Sequence, residues 1–324
     1  MARKWGQHFL IRKGVVERML KQAKIAAGDE VLEIGPGNGF LTRSLLGRGA
    51  RVTSVEIDPR LCGELKKNFG NQEAFVLVDS DVMQVDPYSL CPENPERSKL
   101  VANLPYQIAT ALLQRLLPFR NCWNSMTLMV QKEVADRICA TPAQKKDYGS
   151  LSLAAGMAFE CRQFLNVPPA AFRPMPKVES SLIFLEPKDS GWNSEEEKQF
   201  LKWSQMLFAN RRKFLTNSIR RHFPEWFKKD QNLFQQTLKN RRPEELPHRN
   251  GSISSRTTST SKNRNAEIHH FKFCLNLRLL DFRDLEWGPC FRKNPQTLAF
   301  EVSADRTFRK LPAFPQGQTG QGRS

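Results

Sequence analysis

Residues 103–106 read Asn-Leu-Pro-Tyr, downstream of the glycine-rich run Val31-Leu-Glu-Ile-Gly-Pro-Gly-Asn-Gly39. The first segment has the groups needed to hold the amino group of a flat base. The lone pair of such an amine is delocalised into the ring, so it is a poor nucleophile. Two acceptors on its hydrogens, the Asn103 side-chain carbonyl and the backbone carbonyl around Leu104, would draw it towards a tetrahedral shape and aim the lone pair. Pro105 contributes no N–H and stiffens the turn. Tyr106 offers a face on which a base can stack, worth about 1–3 kcal/mol, and its ring rather than its hydroxyl is expected to matter. A proline turn of this kind is common in any protein, so the segment gains meaning only from its surroundings.

Gly35-Pro-Gly-Asn-Gly39 is spaced G-x-G-x-G. Between a strand and a helix, glycines let the backbone turn tightly and approach a ligand. The dinucleotide fingerprint G-x-G-x-x-G is absent and Pro36 sits between glycines, which favours a cofactor without a pyrophosphate. Glu56 lies 21 residues after Gly35, where a carboxylate can accept both ribose hydroxyls of a nucleoside. Asp81 is placed to accept the N6 amine of the cofactor's adenine. The combination points to methyl transfer from S-adenosylmethionine to an exocyclic amine. Positioning is then the main catalytic effect, and no general base is required if the proton leaves after transfer.

These residues need a frame that brings them together. Val31–Ile34, Arg51–Ile57, Ala74–Val78, Leu100–Ala102 and Met126–Val130 read as strands. Helices are expected over Val15–Ile25, Phe40–Leu46, Arg60–Asn68 and 109–117. This alternation implies a mostly parallel, doubly wound α/β sheet covered on both faces. Such a sheet places ligands at the carboxyl ends of its strands, and Gly35, Glu56, Asp81 and Asn103 all fall at or just past strand ends.

Composition limits the alternatives. Hydrophobic residues make up 40% of the 324, enough for a substantial core. No apolar run reaches the length of a membrane span, and the N-terminus shows no apolar h-region of a secretory signal. The seven cysteines are odd in number and include no C-x-x-C pair. This argues against a disulfide framework and a thiolate zinc site, and favours a reducing cytoplasm. No metal site is expected. The net charge of +17 points to a polyanionic partner. Residues 248–324 hold 13 Lys and Arg against 6 Asp and Glu, which leaves a net +10 on the rest of the chain.

Three regions are expected. Residues 1–186 form the catalytic α/β domain. Residues 187–247 form a small helical domain, entered through a linker at 186–194 and a capping box at Ser194 and Glu197. Phe200, Leu201, Met206, Leu207, Phe208, Phe214, Leu215 and Ile219 carry its apolar positions. Residues 248–324 form a basic tail expected to be poorly ordered. Eight of the ten residues 252–261 are Ser or Thr, and Phe271, Phe273, Leu275, Leu277 and Leu279 alternate as in a strand. The tail is either a basic RNA-binding extension or sequence without a selected fold, and its abrupt loss of pattern favours the second.

From Arg3 to about Leu246 the chain resembles the small-subunit (16S) rRNA adenine dimethyltransferases, the kasugamycin-sensitivity methyltransferases of bacteria. The resemblance is carried by Gly6-Gln-His-Phe-Leu10, Glu33-Ile-Gly-Pro-Gly37, Val55-Glu-Ile-Asp58, Asn103-Leu-Pro-Tyr106, Gln131-Lys-Glu-Val134 and Tyr148-Gly-Ser-Leu-Ser152. It continues through Val167-Pro-Pro-Ala-Ala-Phe-Arg-Pro-Met-Pro-Lys-Val-Glu-Ser180 and Asn210-Arg-Arg-Lys213. It implies a Rossmann-like S-adenosylmethionine-dependent methyltransferase fold with a small C-terminal helical domain that contacts rRNA. His8, Leu10, Gly35, Gly37, Glu56, Asp81 and Asn103 would hold the cofactor, although Asn is frequent in the family where His8 stands. Phe172 would lie near the target base as a second aromatic wall, with core packing as its alternative role. The implied substrate is two neighbouring adenosines in a hairpin loop near the 3′ end of small-subunit rRNA, each methylated twice. The partner would be an immature small subunit and the chain a monomer. Three other readings compete: a macrolide-resistance methyltransferase of large-subunit rRNA, a DNA amino-methyltransferase, and a non-catalytic ribosome assembly factor on the same fold.

Overall fold

The computed structural model describes residues 7–92, 94–188, 194–222, 224–229 and 240–246. The tail, with its Ser/Thr-rich stretch and strand-like alternation, lies outside these residues, as do the side chains of the expected capping box. The described chain divides into two compact units. One holds residues 7–139 and 158–188; the other holds residues 140–157 and the residues described from Ser194 to Leu246. The segment Ala140–Met157 groups with the helical unit.

In the first unit, β1 (Phe9–Leu10) leads into α1 (Lys13–Gln22), followed by β2 (Glu30–Ile34), α2 (Phe40–Leu46), β3 (Arg51–Glu56), α3 (Pro59–Phe69) and β4 (Phe75–Asp79). Then come β5 (Ser98–Asn103), α4 (Ala109–Leu116), β6 (Ser125–Gln131) and α5 (Lys132–Cys139). After α6 (Ser150–Ala158), the strands β7 (Phe159–Val167), β8 (Phe172–Arg173) and β9 (Ser180–Pro187) complete the sheets. The main sheet runs β4-β3-β2-β5-β6-β9-β7, and β1 pairs with β8 in a separate ribbon. The strands from β4 to β6 are mutually parallel, as the alternation predicts, while β9 is antiparallel to both β6 and β7.

The sequence pattern gives no strand of the α/β domain beyond Val130. It missed β9, where six successive residues are buried, because a strand covered on both faces has no polar alternation to read. Strand β7 is only partly covered, as befits the sheet edge.

The strand order reverses between β2 and β5. Their register runs only from Glu30–Ser98 to Leu32–Leu100. Each then continues with its other neighbour, β2 to Ile34–Val55 and β5 to Asn103–Met129. The amino end of this pair is closed by Lys99, whose Nζ donates to Asp29 Oδ2 at 2.6 Å and to Lys24 O at 2.7 Å. The same Asp29 oxygen accepts from Ala26 N at 2.8 Å.

The cysteines depart from expectation at one place. Cys91 and Cys122 form a disulfide across 31 residues, with Cα atoms 5.1 Å apart. The fold brings their segments together, and Tyr88 meets Phe119 edge-on beside them at 4.7 Å between ring centroids. Sequence spacing carries no sign of this pairing. Cys62, Cys139 and Cys161 are free.

In the second unit, α7 (Ser194–Ala209), α8 (Leu215–His222) and α9 (Pro224–Lys229) bury Phe200, Trp203, Leu207, Leu215, Ile219 and Phe227 around Tyr148. The Tyr148 hydroxyl donates to Leu246 O at 2.6 Å. Phe214, expected among the apolar positions, is exposed. Among the described residues no helix is long and apolar enough to cross a membrane.

Lys99 and Asp29 are nearly buried, with side chains 11% and 8% exposed. Removing one partner of such a pair leaves an uncompensated charge. Lys99→Met is expected to lower stability by about 3–5 kcal/mol while leaving the cavity at the opposite strand ends intact. Urea unfolding checks the first part and ligand calorimetry the second.

Candidate active site

A cavity of about 220 Å3 opens at the carboxyl ends of β2, β3, β4 and β5. Its walls include His8, Leu10, Gly35, Gly37, Glu56, Asp81, Asn103, Leu104, Pro105 and Tyr106, so ten of the eleven residues expected at the site meet there.

The glycine loop follows β2 with positive φ at Gly35 (69°) and Gly37 (60°), a region L-residues rarely adopt. A Cβ on Gly37 would lie 3.0 Å from the Phe9 ring, and one on Gly35 would lie 3.4 Å from Pro105. The first loop is thus shaped to let the N-terminal strand and the Asn103–Tyr106 loop close over it.

Glu56 ends β3 and is 5% exposed. Its Oε1 accepts from Ile57 N at 2.9 Å and Asp58 N at 3.0 Å, and its Oε2 from Gly37 N at 3.2 Å. Burial pushes its carboxyl above the usual carboxylate range, and these backbone hydrogen bonds oppose the shift. The carboxylate is held rigidly and keeps lone pairs for a ligand's hydroxyls.

Glu33, in β2, was singled out only as part of a motif. It is 1% exposed and lines the cavity. Oε2 accepts from Thr42 Oγ1 at 2.7 Å and Ser54 Oγ at 2.8 Å, while Oε1 is buried without a hydrogen-bond partner. Burial raises its pKa to about 7. A buried, half-satisfied acid beside a second buried acid suits a ligand that carries positive charge together with ribose hydroxyls. S-adenosylmethionine, with its ammonium, sulfonium and ribose, fits that requirement. Among the described residues no cluster could hold a metal ion.

Asp81 sits in a turn past β4. Its Oδ1 accepts from Met83 N at 2.9 Å, which leaves Oδ2 for a ligand. Arg115, on α4, fastens this turn. Its guanidinium donates to Val82 O at 3.1 Å, to Val85 O at 2.9 Å and also to Met83 O. No sequence signal marks Arg115, which looks like any charge on an amphipathic helix.

In the Asn103–Tyr106 loop, Leu104 N donates to Met129 O at 3.0 Å and Ile108 N to Pro105 O at 3.2 Å. The Tyr106 hydroxyl lies 2.5 Å from Ser180 Oγ. Its ring stacks against His8, with centroids 5.8 Å apart and planes at 29°. His8 Nδ1 lies 2.7 Å from Pro174 O; since a carbonyl only accepts, Nδ1 is the donor. Phe172 is the exception among the expected residues. It pairs with Leu10 across the β1–β8 ribbon and is 2% exposed within the main core. Its aromatic side chain fills the core beneath the ribbon rather than forming a cavity wall.

The raised Glu33 pKa links stability to pH. Between the unfolded value of 4.5 and the folded value of about 7, the folded state keeps a proton that the unfolded state has lost. Stability must therefore fall as pH rises through that window and level off above it, by roughly 3 kcal/mol in all. Glu33→Gln is expected to remove this contribution, so its stability relative to the unaltered chain should improve between about pH 5 and pH 8. Urea unfolding of both proteins at the two pH values checks this; an unchanged difference would place Glu33 in its charged form.

The model of the ribosomal RNA adenine dimethylase family matches residues 1–247. Ribosomal RNA small subunit methyltransferase A of Synechococcus elongatus is 37% identical over 226 residues, covering 67% of this chain and 81% of that protein. Its counterpart in Magnetococcus marinus is 39% identical over 224 residues, covering 69% and 80%. Among solved structures, a dimethyladenosine transferase from Plasmodium falciparum superposes with a TM-score of 0.62 at 25% identity, over 74% of this chain and 94% of that one. The 23S rRNA methyltransferase ErmE superposes with a TM-score of 0.53 at 25% identity, over 73% and 96%. The sheet is the Rossmann-like sheet of S-adenosylmethionine-dependent methyltransferases. The match spans every described residue, and on that ground the chain belongs to the ribosomal RNA adenine dimethylase family.

Proposed function

We propose that this chain transfers methyl groups from S-adenosylmethionine to the N6 amines of two adjacent adenosines in a hairpin loop near the 3′ end of small-subunit (16S) rRNA. It acts as a cytoplasmic monomer on an immature small subunit during ribosome maturation. The observation that carries this reading is the meeting of two loops in one cavity. The Gly35–Gly37 and Glu56 cradle lies on one side of the β2–β5 parting and Asn103–Tyr106 on the other. The relatives of 37–39% identity are named for the small subunit, which supports that substrate over large-subunit rRNA. The half-satisfied Glu33 and the cradle argue for catalysis over a purely binding role.

When bound, S-adenosylmethionine supplies an electrophilic methyl group on a positively charged sulfur. Glu56 accepts the ribose hydroxyls, Asp81 the adenine amine, and Glu33 faces the cationic end. His8 and Leu10 close the cavity over the glycine loop. Asn103 and the Leu104 carbonyl accept from the two hydrogens of the target amine and direct its lone pair inward. Pro105, packed on Gly35, ties the target loop to the cofactor loop. Tyr106 carries the base. A loop substrate suits this site, because an unpaired base costs less to extrude.

Glu56→Ala is expected to weaken S-adenosylmethionine binding by about 1.5–3 kcal/mol, read by calorimetry; unchanged affinity would remove Glu56 from the cofactor site. Asn103→Ala should leave RNA binding nearly intact, because phosphate contacts supply most of the affinity. It should slow methyl transfer to unmethylated small subunits about 10²–10³-fold. A single-turnover rate near that of the unaltered chain, at saturating cofactor and subunit, would overturn the role given to Asn103.

A further inference from the structure

The segment Val167–Ser180 supplied the longest stretch of family resemblance, yet no residue of it enters the mechanism above, and Phe172 is committed to the core. Two of its residues nonetheless contact side chains that line the cavity. Pro174 offers its carbonyl to His8, and Ser180 meets the Tyr106 hydroxyl.

Ser180 is fully buried and opens β9. Its backbone is in register with Gln131 of β6 on one side and Val167 of β7 on the other, so its Oγ is mounted on the most constrained kind of backbone the fold contains. Tyr106, by contrast, sits on a short loop after β5. An aromatic ring on a loop, half exposed to a cavity, moves among rotamers on a ps–ns timescale unless something holds it. Two groups do. The phenolic oxygen is 2.5 Å from Ser180 Oγ, and the ring lies against His8, whose own Nδ1 is fixed on Pro174 O. The ring is therefore restrained at its far end and against its neighbour, by two segments distant from it in sequence.

We propose that Ser180 is a positioning residue for methyl transfer, its hydroxyl holding the Tyr106 ring at the angle on which the target base stacks. The inference rests on the reading of Tyr106 as the stacking face. Transfer to a weakly nucleophilic amine requires the reacting atoms in a narrow geometry, and a base lying on Tyr106 inherits the orientation of that ring. The hydroxyl, given no role on sequence grounds, acts as a tether and touches no reacting atom.

The test uses Ser180→Ala, Tyr106→Phe and the double variant in the full chain. Tyr106→Phe removes the same hydrogen bond without altering the buried β9 position, so the proposal does not depend on Ser180→Ala folding. Single-turnover transfer to small ribosomal subunits lacking adenine methylation, at saturating cofactor, should slow about tenfold in each single variant. The double variant should be no slower than either single one, and calorimetric S-adenosylmethionine affinity should be unchanged. A rate in Ser180→Ala equal to that of the unaltered chain, or a double variant slowed by the product of the two effects, would overturn the proposal. A second readout is independent of activity. The chain has three tyrosines, so ¹⁹F NMR after 3-fluorotyrosine incorporation gives one resonance for each, and Tyr106→Phe identifies the Tyr106 line. Ser180→Ala should move that line and leave those of Tyr88 and Tyr148 in place; an unmoved line would show that no tether exists. Failure of the unaltered chain to methylate small subunits would sink the functional reading itself, and the NMR result would then decide on the tether alone.

Discussion

Two parallel strands that stop pairing before they end cannot fill the gap between their tips with backbone. In this fold that constraint falls on β2 and β5. Their register ends at Leu32–Leu100, while each strand runs on along its other neighbour to Ile34 and Asn103. The parting lies where the strand order reverses, so the connections leave on opposite faces and neither covers it. The positive φ values of the glycine loop, the packing of Pro105 against Gly35, and the meeting of the glycine loop and the Asn103–Tyr106 loop in one cavity all follow from it.

The chain places two carboxyl groups at this parting, where water is largely excluded. Glu56 is stabilised by three backbone N–H groups, which hold its oxygens in a fixed direction. Glu33 receives only two hydroxyls on one oxygen, and burial dominates its pKa. Burial raises the pKa of both acids, and at Glu56 the backbone hydrogen bonds oppose that rise. A half-satisfied acid costs stability in the free protein, which is consistent with a site arranged for a cationic ligand rather than for maximal rigidity.

Much of this was legible in the sequence, because the parallel strands and their loops carry strong local signals. The strands ending at Ile34, Glu56 and Asn103 lie within a few residues of the expected positions, and the residues past their ends converge as the α/β pattern requires. What was not legible depends on contacts between distant segments. Strand β9 is buried on both faces and shows no alternation. Phe172 looks like a site aromatic beside prolines, but its pairing with Leu10 turns it into the core. Ser180 and Arg115 are ordinary residues locally, and only the folded chain brings one to a tyrosine and the other to three carbonyl groups. Cys91 and Cys122 escaped notice for the same reason.

Arg115 has a thermodynamic consequence. It stands on the helix that continues from the target loop, and its guanidinium grips the turn that carries Asp81. The Asp81 turn and the helix that follows the Asn103–Tyr106 loop are thereby joined through one side chain. To whatever extent a ligand on the Asp81 turn stiffens α4, linkage requires that a base held by Asn103 and Tyr106 strengthen that ligand's binding by the same factor. Under the proposed function, cofactor and RNA would then not be independent occupants of neighbouring sites. The link between them would be Arg115, a side chain that does not line the cavity.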